Sequence, residues 1–427
     1  MKKFILLSLL WLIALAGFSQ RTLIHCGSLI DGKNKELQQQ VTIVVEANKI
    51  VSVDKGFTKP GKEDKLVDLS KKTVMPGLID MHVHIESETS KDQLVKRFTQ
   101  NEADVAFQST IYAKRTLMAG FTTVRDCGGS GVNVSIRNAI NSGIVVGPRI
   151  FTAGKGVATT GGHGDPTNGS RKDLQGDPGP KEGVINSPEE AYKAVRQRYK
   201  DGADFIKITA TGGVLSVAKD GSGPQFTQEE VNAIVLAAKD YGFHTAAHAH
   251  GAEGMKRAVL AGITTIEHGT LMTDEVMDLM KQKGTYHVPT IIAGRSAAEY
   301  AKIPGYYHPL VVPKAIEIGS KIQENFSKAY KRGVKMAFGT DAGVFPHGEN
   351  AREFGYMVEG GMPAIEALLS AMQNNAAILG VGDKIGSIEK GKLADIVAVN
   401  ENPTTNIKAM EKVTFVMKEG VVYKNEN

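Results

Sequence analysis

Two histidines spaced i, i+2 close the apolar, β-prone run Met75-Pro76-Gly77-Leu78-Ile79-Asp80-Met81-His82-Val83-His84. Side chains alternate faces along a strand, so His82 and His84 point the same way, as joint ligation of one metal ion requires. Neutral imidazole is the commonest ligand for a borderline metal, and two on rigid backbone make half a site. The other half has to come from elsewhere. Lys207 lies in Asp204-Phe205-Ile206-Lys207-Ile208, an apolar strand where an unpaired ammonium would be costly. His248 and His250 close Thr245-Ala246-Ala247-His248-Ala249-His250, His268 closes Thr264-Thr265-Ile266-Glu267-His268, and Asp341 ends Ala337-Phe338-Gly339-Thr340-Asp341. Singly, a strand-end His or Asp usually caps backbone; five strands carrying such side chains in one chain point to a metal centre.

The elements that must position these residues alternate. Strand-like runs (Thr122–Asp126, Arg149–Ala153, Phe205–Ala210, Thr245–His250, Thr264–His268, Tyr286–Ile292, Lys335–Asp341) are separated by amphipathic helical stretches such as Ser187–Lys200, Thr227–Tyr241, Gly251–Ala261 and Pro313–Arg332. Alternating strands and helices imply a parallel sheet, and about eight units between residues 76 and 380 imply a closed (β/α)8 TIM barrel, with an open doubly wound sheet as the alternative. In a barrel, the C-terminal strand ends are where active sites are built, and the ligand-type residues sit there. Residues 154–186, rich in Gly, Pro and Asp, read as a long loop over one barrel mouth. Both ends of the chain are short β-branched runs, so the expected fold is α/β: a barrel over 74–384 and a small β-sandwich domain from 21–73 plus 385–427.

Lys2 and Lys3 precede an apolar run from Phe4 to Phe18, the pattern of a secretory signal peptide over residues 1–20. The expectation is an exported protein, periplasmic or secreted in a bacterium, with no membrane attachment after cleavage. The formal charge of +5 falls to about +3 without Lys2 and Lys3, and no Lys/Arg run suits nucleic acid. The only cysteines, Cys26 and Cys127, fall in separate strands and read as buried free thiols rather than a disulfide.

The ordered set His82-x-His84, Lys207, His248, His268, Asp341 resembles the binuclear amidohydrolase superfamily over essentially all of the mature chain. Pro76-Gly77-Leu78-Ile79-Asp80-Met81-His82-Val83-His84 resembles its first-strand signature, and Gly386-Ser387-Ile388-Glu389-Lys390-Gly391-Lys392-Leu393-Ala394-Asp395-Ile396-Val397 its return from barrel to β-sandwich. The resemblance implies two divalent metal ions, expected to be Zn2+. His82, His84 and Asp341 would hold one and His248 and His268 the other, bridged by Lys207 carboxylated with CO2. It further implies a metal-bridging hydroxide as nucleophile and Asp341 as the base that relays its proton to the leaving amine.

Gly161-Gly162-His163-Gly164-Asp165, Ala210-Thr211-Gly212-Gly213-Val214-Leu215-Ser216 and the segment around His248 look most like exported prolidase-like dipeptidases, relatives of imidazolonepropionases and of ochratoxin-cleaving amidohydrolases. That implies cleavage of dipeptides (Xaa-Pro or Xaa-Arg/Lys) or N-acyl amino acids, and a homo-oligomer, an octamer among the options. His250 shares a face with His248 and suits a donor to the reacting carbonyl or a structural partner; His163 suits a substrate carboxylate or plain solvent. His287, on the next strand, is a further substrate-binding candidate, and Asp165, Asp177 and Glu349 are acids that would favour a cationic side chain. The rival readings are cyclic-amide opening or deamination, against which Lys207 argues, and a non-catalytic metal-binding protein.

Overall fold

The computed structural model describes residues 20–426, so all but the last residue of the expected signal peptide lies outside the described residues. Strands β1 (Arg21–Leu29), β2 (Gln38–Glu46), β3 (Lys49–Lys55) and β4 (Lys65–Pro76) precede β5 (Leu78–Val83), β6 (Phe121–Asp126), β7 (Arg149–Thr152), β8 (Ile206–Thr209), β9 (Thr245–Ala249), β10 (Thr265–His268) and β11 (Tyr286–Val288). β12 (Ile396–Val399), β13 (Val413–Lys418) and β14 (Val421–Asn425) follow near the C-terminus.

Strands from the two ends combine into one seven-stranded mixed sheet, ordered β14-β13-β12-β4-β1-β2-β3. β4 is its pivot: it runs parallel to β1 and antiparallel to β12, and so joins the N-terminal strands to the C-terminal ones. The sequence reading expected a sandwich and did not single out β4, whose residues 65–72 are mostly polar. All seven strands are hydrogen-bonded edge to edge. Ile24, Ile43, Ile396, Ala398 and Phe415 give this sheet an apolar core of its own.

The middle of the chain carries parallel strands, β5-β6-β7 and β8-β9-β10-β11. Parallel bridges Val157↔Ile208, His287↔Met336 and Val83↔Ala342 link the two groups through residues 157 and 335–342. β5, β6, β8, β9 and β10 are buried at every position, as strands covered by helices must be. The covering helices start where their caps dictate. Ser187 and Thr227 accept from the backbone N–H groups of Glu190 and Glu230, opening helices Pro188–Lys200 and Gln228–Asp240. The expected strand Tyr286–Ile292 stops early: Thr290 turns left-handed at φ 50°, and helix Ile291–Ala301 begins directly after it. Among the described residues no helix is long and apolar enough to cross a membrane.

Candidate active site

One cavity of about 380 Å3 is lined by His82, His84, His163, Lys207, His248, His250, His268 and Asp341. Strand alternation does what the i, i+2 spacing demands: His84 Nε2 and His82 Nε2 lie 3.3 and 3.5 Å from the same oxygen, Asp341 Oδ1. Asp341 is held opposite them by Asp80, whose carboxylate accepts from the backbone of His82 and Thr340 and from the Thr340 and Asn350 side chains. β5 and residues 335–342 are thereby locked together at the site.

Two histidines occupy the far side. His248 and His268 rings are 4.6 Å apart, and His82 and His268 5.1 Å. Alternation alone would send Glu267 and His268 to opposite faces of β10, yet both reach His82. The left-handed φ of 69° at His268 re-aims its ring, and Asp341 adopts a similar φ of 62°. Such backbone in non-glycine residues costs of order 1–3 kcal/mol each and concentrates at functional sites.

In four of the cavity histidines one ring nitrogen is engaged by the surrounding protein. Nδ1 of His82, His84, His250 and His268 contacts Glu267 Oε2 (2.8 Å), Gly128 O (2.7 Å), Thr270 Oγ1 (2.9 Å) and Thr290 Oγ1 (2.7 Å) respectively. This leaves Nε2 of each for a ligand. His248 is reversed: Nε2 contacts Gly212 O at 3.2 Å, leaving Nδ1. Fixing one nitrogen to orient the other is how metal-binding histidines are built. Burial first, then neighbouring positive groups, pushes His82 down to about 4 and His248 and His268 well below the ordinary value, so these imidazoles are neutral. At His84 burial works against the charge but the Asp341 carboxylate outweighs it, and the pKa is raised.

The donor set fits metal ions. Ligand atoms of His82, His268 and Asp341 all lie within 4.8 Å of one another, and Asp341 Oδ1 is buried with only imidazole nitrogens beside it. Lys207, 5% exposed, has as its hydrogen-bonding contact among the described residues only His82 Nε2, at 3.4 Å. Buried without a hydrogen-bonded carboxylate, an ammonium there is costly, whereas an anionic derivative would be matched by cations.

Two residues not foreseen from the sequence complete the site. Glu267 takes Arg125 Nη2 at 2.7 Å on one oxygen and His82 on the other, and both charged groups are fully buried. Burial would raise the Glu267 carboxyl, but Arg125 and His82 outweigh it and hold it far below the usual range. Glu353 accepts from the N–H groups of Ile291 and Ile292 (2.9 and 2.8 Å), fixing the turn at Thr290 that in turn holds His268. Burial pushes Glu353 up to about 8 from its ordinary 4.5. A carboxyl raised on folding contributes fully below its unfolded pKa, and the contribution fades as pH rises through the folded one. Stability is therefore expected to fall between about pH 4.5 and 8, and Glu353→Gln to flatten that slope; urea unfolding at several pH values checks both.

Other expectations fare differently. His163 reaches the cavity from the 154–186 loop, its ring 4.3 Å from that of His248 and its buried Nδ1 without a partner. His287 does not reach it: fully buried, it uses Nε2 on His268 O at 2.9 Å and props that strand end from behind. Nor do Asp165, Asp177 or Glu349 line the cavity; Asp165 is spent on Gly161 and Thr167, and Glu349 on Arg352. Cys26 and Cys127 are free and buried, as expected, with burial pushing both thiols up to about 12.

A parallel-stranded α/β chain with this histidine, lysine and aspartate cavity defines a metal-dependent hydrolase class, and residues 73–423 match the amidohydrolase family, to which the chain belongs. It is 31% identical to ochratoxinase of Aspergillus niger, over 94% of this chain and 86% of that one. Among solved structures, a Xaa-Pro dipeptidase with methionine bound in its active site superposes with a TM-score of 0.93 at 55% identity, over 95% of this chain and 100% of the other. A prolidase complexed with N-methylphosphonate-L-proline gives 0.86 at 31% identity, with the same coverage. The chain is a hydrolase acting on C–N bonds.

Proposed function

We propose that this cavity cleaves the amide bond of dipeptides or N-acyl amino acids and releases a free amino acid. The observation that carries the reading is the placement of Asp341 Oδ1 between the His82 and His84 imidazoles, in the same cavity as Lys207, His248, His250 and His268. The relatives support it: their names describe a Xaa-Pro dipeptidase, a prolidase and ochratoxinase, and one holds an amino acid in its active site. The scaffold in this reading is a closed (β/α)8 barrel over 74–384, with residues 335–342 as its eighth strand and the terminal strands (21–73 and 385–427) as a second unit. The leader-like residues 1–20 support export.

His82, His84 and Asp341 would hold one divalent ion and His248 and His268 a second, with Lys207 carboxylated between them and zinc as the expected metal. Bound there, the ions supply Lewis acidity, polarising the scissile carbonyl and acidifying water. The chain's own groups then divide the work. Asp341 accepts a proton from the attacking water as the oxygen–carbon bond forms, and delivers it to the leaving nitrogen as the C–N bond breaks. His250, its Nδ1 engaged by Thr270, offers Nε2 to the carbonyl oxygen as charge develops there. His163, which lines the cavity beside His248, is the group for a substrate carboxylate.

Asp341→Asn tests the assignment. Asparagine tolerates the left-handed backbone at this position, so the fold is expected to persist. Removing general acid–base catalysis is expected to lower kcat on a cleaved dipeptide by about 10^2–10^4-fold. Turnover near the unaltered rate would remove Asp341 from its role.

A further inference from the structure

The cavity has two chemically different sides. Besides the histidines the cavity has an apolar lining: Ala297 from helix Ile291–Ala301, Ile318 and Ile322 from helix Val312–Lys331, Val344, and Val214 and Leu215 from the loop after β8. Among the described residues, Asp341 is the only carboxylate lining the cavity. The two helices touch closely, since a Cβ on Gly319 would lie 2.4 Å from the Ala298 Cβ, so this part of the wall is rigid.

The loop is fixed differently. Lys314, on helix Val312–Lys331 and 9% exposed, donates to Gly213 O (2.8 Å), Ser216 O (2.9 Å) and Ala218 O (2.9 Å). Three ammonium hydrogens meet three loop carbonyls, which compensates the buried charge. At its other end the loop touches the site: Gly212 O faces His248, and Gly213 packs so tightly on the His163 ring that a Cβ would sit 2.3 Å from it. Val214 and Leu215 lie between these two anchors.

We propose that Lys314 is a positioning residue that pins Val214 and Leu215 as one side of a subsite for an uncharged, aliphatic side chain on the released amino acid. The proposal rests on the amide-hydrolysis reading above. A cationic side chain would enter a wall without a counter-charge, next to a lysine whose donors are already used, and an anionic one would be desolvated against aliphatic side chains without a cation to pair with.

The test uses the full-length, zinc-loaded protein, with calorimetric titration of L-methionine and L-lysine and turnover of Gly-Met and Gly-Lys. L-methionine is expected to bind, and Gly-Met to be cleaved, at least about tenfold better than the lysine counterparts. Lys314→Met, which keeps the aliphatic stem, is expected to raise KM for Gly-Met about tenfold, with kcat within about twofold and metal content unchanged. Leu215→Glu, a loop change that does not depend on Lys314, is expected to shift preference toward lysine. Equal binding of the two amino acids, or a Lys314→Met effect on kcat and metal content with KM unchanged, would overturn the proposal. A methionine preference without dipeptide cleavage would keep the subsite and reject amide hydrolysis. Cleavage without preference would do the reverse.

Discussion

Lys207→Ala is expected to yield a folded chain that binds its metal ions poorly and loses activity by on the order of 10^3-fold or more, about 4 kcal/mol of barrier. Lys207 sits on the second residue of β8, buried at every neighbouring position, with His82 Nε2 as its contact at 3.4 Å. An ammonium held only for stability would be badly placed there, and deleting it from the metal-free protein should cost nothing and even relieve desolvation. A lysine converted to an anionic bridge predicts the same neutral effect on the metal-free fold but a large loss of metal. Thermal unfolding with and without zinc separates the two: the variant should lose the zinc-dependent rise in Tm while keeping the metal-free Tm. A variant that keeps both its zinc-dependent rise in Tm and its turnover would refute the bridging role.

Glu267→Gln is expected to be damaging in a different way. Its two oxygens serve three partners, the fully buried Arg125 guanidinium and the Thr265 hydroxyl on one and His82 Nδ1 on the other. The neutral amide leaves Arg125 as an uncompensated buried cation, an effect of about 3–5 kcal/mol when one partner of such a pair is removed. The amide nitrogen also cannot accept from His82, so the imidazole loses the group that orients it. Loss of such a supporting carboxylate typically weakens metal affinity on the order of 10–100-fold. Chemical denaturation and zinc titration of the same variant should therefore both change. Unaltered stability would mean that Arg125 finds another partner, and unaltered zinc affinity that His82 is oriented without Glu267.

The polar residues that line the cavity were legible because each obeys a local rule. His82 and His84 are two apart on a strand, Lys207 is a charge inside an apolar run, and His248, His268 and Asp341 sit where parallel strands end. Glu267 was hidden by the same rule that exposed the others: alternation assigns it and His268 to opposite faces, and only the left-handed turn at His268 brings both toward His82. Glu353 lies on a helix far along the chain and acts through the backbone of Ile291, a relation that no spacing encodes. His287 misled because its position on a strand beside the site is right while its side chain serves the neighbouring strand end. Among the outer elements, β4 was missed because its first half is polar and only its tertiary role as a pivot between β1 and β12 makes it a strand.

Cleavage of amides to free amino acids is the reaction proposed for this cavity. Its most direct test incubates the zinc-loaded protein with a panel of dipeptides and N-acyl amino acids and quantifies both released amino acids and ammonia. Stoichiometric release of a free amino acid and a carboxylate from at least one substrate class, without ammonia, is the expected result. Ammonia as the product, or no amino acid released from any member of the panel, would contradict it.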